Sequence, residues 1–212
     1  MFYKNYLKYM LDICVAALVL AALLPLFVVI AAAIRLDSAG PVFFRQVRCG
    51  QDGKAFVIYK FRSMYQTAPR DRAVKELENP ERYITRTGRV LRNTSLDELP
   101  QLFNIIKGEM SLIGPRPVPI NEQILNEARQ RTAAGRLRPG ITGWAQINGR
   151  DRVSIYQKVA LDCVYAEGLS FRMDMMIFLR TILYVVRRQD IFEKMPDEDR
   201  RIIDETAEGA SE

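Results

Sequence analysis

The sequence predicts an α+β protein that is mostly α-helical, contains a small β-hairpin and is attached to a membrane from one side. The first observation is an uncharged apolar stretch at residues 13–34. The second is a pair of strand-like segments, residues 42–44 and 55–61, separated by a turn signal at residues 49–53. The third is the helical composition of most of the remaining chain. Together they predict a membrane hairpin and one further domain within 212 residues.

The apolar stretch would reach about 33 Å as a straight helix, which is enough to span a bilayer core. Pro25 in its middle favours a kink or a break. Basic residues flank both ends, which favours placing both ends on the cytoplasmic side: Lys4, Lys8, Arg35, Arg45 and Arg48. We therefore predict a monotopic protein with a re-entrant helical hairpin broken at Pro25, and an ordinary transmembrane helix is the alternative. A signal peptide is disfavoured, because the run is too long and no small-residue cleavage site precedes Arg35.

Charge divides the chain into three predicted parts. Residues 1–36 form the membrane hairpin, residues 37–190 a cytoplasmic domain with interfacial amphipathic helices, and residues 191–212 an acidic mobile tail. The formal net charge is +6 and the tail carries −5, so the rest of the chain carries +11. A basic body indicates an anionic partner, whether phosphorylated ligand, acidic lipid or nucleic acid.

The chain contains no histidine. This excludes Ser-His-Asp and Cys-His catalysis as well as histidine metal sites, so any general base must be Asp, Glu, Lys, Tyr or Cys. The three cysteines are odd in number and lack metal-ligand spacing, which fits a reducing compartment: Cys14, Cys49 and Cys163.

The adjacent carboxylates Asp97 and Glu98 are the strongest candidates for a chemical role. Pro100 suits the first position of a helix over residues 101–107. The pair would then lie beside a helix N-terminus, which keeps a carboxylate ionised for nucleophilic attack or metal binding. The alternative is a capping box, in which Ser95 and Glu98 only satisfy backbone N–H groups. Pro100 counts against it, because it would fall inside a helix that starts at Ser95.

Several basic residues are candidates for binding an anion. Lys60 and Arg62 alternate on a predicted strand and would share one face. Arg92 lies close in sequence to the carboxylate pair. Arg116 is held between two prolines that fix the backbone, which suits bidentate phosphate binding. Each has a simpler alternative: a solvated strand face for Lys60 and Arg62, structural ion pairs for Arg92, and an ordinary exposed loop arginine for Arg116.

Residues 138–150 gather three glycines around Trp144, with Arg138 and Arg150 at the two ends. Glycines let a backbone approach a ligand closely, and Arg or Trp can stack on a base. The spacing matches neither GxGxxG nor a Walker A loop, so no nucleotide-binding fold follows from it. Further on, residues 154–166 predict a helix, and residues 171–188 predict either a core helix or one in the membrane interface.

Five short motifs occur together in a fixed order, at residues 60–64, 95–101, 108–111, 114–117 and 138–143: KFRSM, SLDELPQ, GEMS, GPRP and RPGITG. In this combination the chain resembles the bacterial monotopic phosphoglycosyl transferases, also called bacterial sugar transferases. The resemblance runs from the apolar hairpin to about residue 188 and does not cover the tail. It is closest to the small members that consist of the catalytic domain alone, with no transmembrane bundle ahead of residue 13.

The resemblance implies an enzyme that moves a sugar-1-phosphate from a UDP-sugar to a polyprenyl phosphate, typically undecaprenyl phosphate, and releases UMP. It implies Mg²⁺, with Asp97 as the nucleophile of a covalent phosphosugar intermediate and Glu98 as its partner carboxylate at the metal. The family's other site residues carry over to this chain as substrate-binding residues: Lys60, Arg92, Arg116, Arg150, Asp162 and Asp174. The residue patterns add Arg62 and Arg138 to that group.

The resemblance also implies a place in the bacterial cytoplasmic membrane, facing the cytoplasm, where such enzymes initiate glycoconjugate or polysaccharide assembly. The expected partners are the donor, the acceptor and membrane lipid, without nucleic acid, and a homo-oligomer is left open. One rival is a non-enzymatic anchored protein whose basic body binds acidic lipid or nucleic acid, but it would not explain two carboxylates among basic residues. A single-pass enzyme with an external domain is disfavoured by the flanking charges. The sequence does not identify the sugar.

Overall fold

The computed structural model describes residues 2–69, 79–149 and 153–186. Arg150 and the predicted tail at 191–212 lie outside the described residues. The predicted class is confirmed, because the chain is mostly helical with a small antiparallel hairpin. The helices and strands are α1 (Lys8–Asp37), β1 (Phe43–Cys49), β2 (Ala55–Phe61), α2 (Arg86–Asn93), α3 (Gln101–Ile106), β3 (Ser111–Ile113), α4 (Gln123–Gln130), β4 (Gly140–Thr142), α5 (Trp144–Ile147), α6 (Ile155–Gly168) and α7 (Phe171–Val186).

The helix α1 continues through Pro25, so the predicted break there is not seen. Proline removes one hydrogen bond and crowds the preceding turn, but the neighbouring bonds can hold a long apolar helix together. By length and hydropathy α1 could cross a membrane, and it is the one helix of the described residues that could. The re-entrant topology stays a prediction. Because α1 is continuous at Pro25, this topology requires the helix to bend or to lie flat in the membrane instead of breaking.

Both halves of α1 pack against the rest of the protein. The first half contributes Ala16 to a core with Phe56, Ile58, Leu102, Ile105 and Met110. The second half packs on the end of β2 and on α2: Phe27, Ile30 and Ile34 with Phe61 and Leu91. The opposite face of α1 is apolar and exposed: Met10, Leu18, Leu24, Val28 and Val29. An exposed apolar surface of this kind is typical of contact with a membrane or a partner protein.

The β-hairpin carries one basic residue near each end of the same face. β1 and β2 are antiparallel, with Phe44 opposite Lys60 and Arg48 opposite Phe56. Directly opposed residues share a face of the sheet, so Arg48 and Lys60 lie on the same side as the buried Phe56. The turn signal at residues 49–53 is confirmed as the connection between the strands.

The short parallel strands β3 and β4 bring the GPRP motif beside the GITG motif, with Ser111 opposite Gly140 and Ile113 opposite Thr142. Gly140 is required by close packing, because a Cβ there would lie 2.1 Å from the backbone nitrogen of Gly114. The two loops that follow these strands are therefore held side by side.

The helices α6 and α7 close the domain. Tyr165 of α6 and Ile177 of α7 are buried in a cluster with Ile113 of β3. The other face of α7 exposes a row of large apolar residues: Phe171, Met175, Phe178, Leu179, Ile182 and Leu183. One face of α7 is therefore part of the core, and the other is suited to an interface.

Candidate active site

Asp97 and Glu98 lie in a single 3₁₀ turn, Leu96–Glu98, between α2 and α3. Ser95 just before it adopts a left-handed conformation with φ of 57° and makes no capping hydrogen bond with its side chain. The capping-box alternative is therefore wrong. Pro100 directly precedes α3, as predicted, and its ring excludes a helix that would run through the pair. The turn presents both carboxylates at the start of α3.

Glu98 is held by two cations. Its Oε1 accepts from the Lys60 ammonium at 2.7 Å and from Arg116 Nη2 at 2.6 Å, and Arg116 Nη1 lies 3.4 Å from Oε2. Burial alone would raise the pKa of Glu98, but Arg116 and Lys60 outweigh it and hold the pKa well below its usual range. Glu98 is therefore a fixed anion that orients two basic side chains.

Asp97 has different surroundings. Within the described ranges, its carboxylate makes no hydrogen bond and no ion pair. Burial raises its pKa, and the Glu98 charge raises it further, against the opposing charges of Lys60, Arg92 and Arg116. A carboxylate close to three cations but bonded to none of them is available to react or to bind a ligand.

Lys60 and Arg92 are positioned by Asn104 and Ser63, to which the sequence analysis gave no individual role. Asn104 of α3 bonds the edge of β2, accepting from the backbone N–H of Tyr59 at 3.1 Å and donating to the carbonyl of Val57 at 2.7 Å. Its side chain thus makes the backbone hydrogen bonds that a neighbouring strand would make, just before Lys60. Arg92 Nε donates to Ser63 Oγ at 2.9 Å, and burial lowers the pKa of this arginine.

The loop that carries Arg116 is fastened along its whole length. Five consecutive carbonyls, from residue 115 to residue 119, accept hydrogen bonds from Gly140 N, Arg129 Nη1, Arg48 Nη1, Cys49 N and Asn126 Nδ2 in that order. The donors come from three separate parts of the chain, the end of β1, α4 and β4, so no sequence signal near Arg116 could have revealed them. Arg116 itself is therefore presented from a rigid backbone, with its side chain partly exposed.

Three predicted substrate-binding residues have internal partners instead. Arg62 donates to the carbonyls of Ser38 and Ala39, both at 2.6 Å, and so caps the end of α1. Asp162 pairs with Arg129 at 2.7 Å, and Asp174 accepts from Lys8 at 2.8 Å, from Tyr3 and from Tyr165. The structure therefore gives Arg62, Asp162 and Asp174 partners within the protein, and their substrate-binding role stays a prediction.

Arg138 is only half buried, and its guanidinium lies 4.1 Å from the ring centroid of Tyr9 on α1. That cation–π contact is a sufficient reason for its position. Arg150 lies outside the described residues, so its role stays a prediction. The residues that the structure brings together are Lys60, Arg92, Asp97, Glu98 and Arg116.

The oxygen-rich character of the site fits a hard cation. In the described part of the chain, no group of three or more Asp, Glu or Cys side chains is placed to hold a metal. Mg²⁺, however, is often bound by one or two carboxylates together with substrate phosphates. Asp97, which has no ion-pair partner among the described residues, and Glu98 beside it are the two carboxylates that would hold such an ion.

Comparison with known proteins gives a consistent result. Residues 3–188 match the family model described as bacterial sugar transferase. The chain is 42% identical over 193 residues to an undecaprenyl-phosphate glucose phosphotransferase of Komagataeibacter xylinus, covering 86% of this chain and 35% of the relative. It is 42% identical to a UDP-glucose:undecaprenyl-phosphate glucose-1-phosphate transferase of Klebsiella pneumoniae, covering 81% and 38%. It is 41% identical to the uncharacterized sugar transferase EpsL of Bacillus subtilis (strain 168), covering 87% and 90%. The chain thus spans about a third of the first two relatives and nearly all of the third.

Proposed function

Because the chain belongs to the bacterial sugar transferase family, we propose that it transfers a sugar-1-phosphate from a UDP-sugar to undecaprenyl phosphate and releases UMP. One observation carries the proposal: of two neighbouring carboxylates, Glu98 is held by Lys60 and Arg116, whereas Asp97 lies close to the same cations and forms no ion pair within the part of the chain that the structure describes. The names of two relatives support UDP-glucose as donor and undecaprenyl phosphate as acceptor. Names that refer to exopolysaccharide production support a role in polysaccharide assembly.

In the first step, a carboxylate oxygen of Asp97 attacks the phosphorus that carries the sugar. The bond from that phosphorus to the bridging oxygen breaks, and UMP leaves with the electron pair. An anion can approach an anionic diphosphate only if the charge is neutralised, and Lys60, Arg92 and Arg116 supply positive charge there. The product is a phosphosugar bonded to Asp97.

In the second step, an oxygen of undecaprenyl phosphate attacks the same phosphorus. The bond to Asp97 breaks, the free carboxylate is regenerated and the lipid carries the sugar diphosphate. The lipid phosphate is already ionised near neutral pH, so this step requires no general base, which agrees with the absence of histidine. Glu98 keeps Lys60 and Arg116 in place during both steps.

Mg²⁺, held by Asp97 and Glu98 together with phosphate oxygens, would neutralise further charge on the diphosphate. The oxygen ligands that Asp97 and Glu98 offer fit this ion, because Mg²⁺ is a hard cation. Removing it with a chelator should abolish UMP release, and adding Mg²⁺ should restore it.

The contacts of α1 support a location on one side of the cytoplasmic membrane, with the active site facing the cytoplasm. Lys8, near its beginning, is bonded to Asp174 of α7, and Asp37, at its end, accepts from the backbone N–H of Thr87 at 2.8 Å. Both ends of a helix of about 45 Å are therefore joined to one domain. A straight crossing would carry α7 to the far side as well.

The donor and acceptor steps can be tested separately with purified protein. UDP-glucose and Mg²⁺ without the acceptor should release one UMP per active site, and intact mass should increase by one phosphosugar that maps to Asp97. Undecaprenyl phosphate should then discharge the adduct. An active wild type without burst and adduct would refute the covalent mechanism.

Topology can be tested in intact cells with cysteines placed at positions 2 and 40, after the native cysteines are replaced. The proposed arrangement predicts the same cytoplasmic accessibility for both positions. Opposite accessibilities would show that α1 crosses the membrane.

A further inference from the structure

The exposed apolar face of α1 continues onto α3. Phe27 of α1 packs edge-on against Phe103 of α3, with 6.1 Å between the two ring centroids. Leu24 lies about one turn before Phe27 on α1 and is exposed, and Phe103 and Ile106 of α3 are exposed as well. The apolar surface that is suited to a membrane therefore extends from α1 to the last turn of α3.

Two basic side chains meet at the margin of this surface. Lys107 directly follows α3 and lies four residues after Phe103, which places both on one side of the helix. Its ammonium donates to the hydroxyl of Tyr59 at 3.0 Å and lies 4.5 Å from the centroid of that ring. Arg45 is opposite Tyr59 in the hairpin, and its guanidinium lies 5.6 Å from the same centroid. Lys107 and Arg45, both exposed, thus flank one tyrosine.

The charges of these two side chains are not balanced by an ion pair. Over residues 2–69, 79–149 and 153–186, no carboxylate lies within ion-pair distance of Arg45 or Lys107. The hydrogen bond to Tyr59 raises the pKa of Lys107, and the charge of Glu109 raises it further, so Lys107 is a cation at neutral pH. Glu109 itself is bonded to Asn104 through Oε2 at 2.7 Å. Two exposed cations on one ring suit an anion from outside the protein.

The position of this basic pair favours a lipid phosphate over a soluble one. Tyrosine is enriched where proteins meet the membrane surface, and lysine extends its charged end from apolar surface towards the headgroups. Anionic lipids attract basic residues at that level. A soluble anion would gain nothing from the neighbouring apolar side chains Phe103 and Ile106, whereas a phospholipid would use both parts of the surface.

We propose that Arg45, Tyr59 and Lys107 form a headgroup site for an anionic phospholipid such as phosphatidylglycerol. The acyl chains would lie along Phe103, Ile106 and the exposed face of α1. The inference rests on the proposed membrane location and not on the transfer reaction. Because α3 directly follows the turn that carries the two carboxylates, a headgroup bound at its other end fixes the height of the active site above the bilayer.

The test follows the acetylation rate of the Lys107 amine by mass spectrometry, with the whole chain in a nonionic detergent. Dihexanoyl phosphatidylglycerol is titrated as the probe, and dihexanoyl phosphatidylcholine is its zwitterionic counterpart. We expect phosphatidylglycerol to protect Lys107 in a saturable manner that high salt weakens, and phosphatidylcholine to leave it reactive. Lys54, exposed in the connection between the strands, is the internal control and should react equally under all conditions.

Arg45→Gln removes one cation and keeps the Lys107 amine as the reporter. A basic residue near an anionic lipid surface contributes about 1 kcal/mol, so the half-saturating concentration of phosphatidylglycerol should rise about fivefold. Lys54→Gln is the matched control, because it removes one charge from the same hairpin away from Tyr59, and it should leave the half-saturating concentration unchanged. The melting temperatures of both variants should equal that of the wild type, since neither residue is buried.

Each alternative occupant predicts a different result. Equal protection by phosphatidylcholine, or no protection by phosphatidylglycerol, would overturn the site. Inorganic phosphate that protects Lys107 as well as phosphatidylglycerol does would show a soluble anion instead of a lipid. Protection by undecaprenyl phosphate alone would show that the surface binds the acceptor. An unchanged half-saturating concentration in Arg45→Gln would also overturn the proposal. None of these measurements uses the sugar donor, so a failure of the proposed transfer reaction is detected separately by UMP release.

Discussion

Asp97→Asn and Glu98→Gln are substitutions of nearly equal shape at neighbouring positions, and the structure predicts opposite effects on stability. Asp97 makes no hydrogen bond or ion pair within the described residues, and burial disfavours its charge. Asparagine should therefore leave the melting temperature unchanged or raise it, while UMP release and adduct formation are abolished.

Glu98→Gln removes the anion between Lys60 and Arg116. A hydrogen bond to a charged group contributes about 1.5–3 kcal/mol. The Lys60 contact is largely enclosed and keeps that value, whereas the Arg116 side chain is 44% exposed, so its contact contributes only about 0–1 kcal/mol. We expect a loss of about 1.5–4 kcal/mol in the free energy of unfolding. For a chain of this length that lowers Tm by roughly 3–16 °C.

Both variants and the wild type should be compared by thermal unfolding in detergent and by UMP release from UDP-glucose. The reasoning predicts an inactive, fully stable Asp97→Asn and an impaired, destabilised Glu98→Gln. Equal destabilisation of the two variants would show that Asp97 has structural partners. A folded Asp97→Asn with substantial Mg²⁺-dependent UMP release would refute its role as nucleophile.

Three further predictions follow from the contacts around the pair. Arg116→Ala should reduce turnover about ten- to a hundredfold while the protein still fractionates with membranes, since one charge-assisted phosphate contact is lost. Near-normal turnover would show that Arg116 is an ordinary exposed loop residue. Asp162→Asn should lower the free energy of unfolding in urea by about 3–5 kcal/mol, because Arg129 is left buried and unpaired; lost activity without lost stability would contradict a scaffold role for Asp162. Ser95→Gly should keep turnover and cost no stability, whereas Ser95→Val should destabilise by about 1–2 kcal/mol, since a left-handed φ penalises a branched side chain; thermal unfolding of the two variants would show equal stability if that φ were unimportant.

Short sequence patterns correctly predicted the elements that depend mainly on neighbouring residues. The hairpin follows from alternating strand residues around a turn, and the start of α3 follows from Pro100. Pro25 shows the limit of the same approach, because a proline only weakens a helix and the surrounding packing decides whether it ends.

The site residues show why the rest could not be predicted. Lys60 and Arg62 were expected to share a strand face, but β2 ends at Phe61, so the alternation no longer applies at Arg62. Its side chain turns to the end of α1 instead. Asp162 and Asp174 form ion pairs with Arg129 and Lys8, which lie far from them in the sequence and which no local pattern indicated. The role of a charged residue depends on its partners in distant parts of the chain, and the residue type alone does not identify those partners.

The pair Asp97-Glu98 shows the same dependence within two residues. Sequence alone presents two equivalent carboxylates at the start of one helix. Lys60 belongs to the hairpin, and Arg116 belongs to the loop whose carbonyls at residues 115–119 accept hydrogen bonds. Both side chains bind Glu98. Holding these cations on Glu98 leaves Asp97 within their field but without a bond to any described residue, which is the state that a nucleophile toward an anionic phosphate requires. The rigid hydrogen-bonded loop and the Asn104 bridge to β2 are therefore as necessary to the proposed chemistry as the reacting carboxylate, because they decide which of the two carboxylates is held by Lys60 and Arg116.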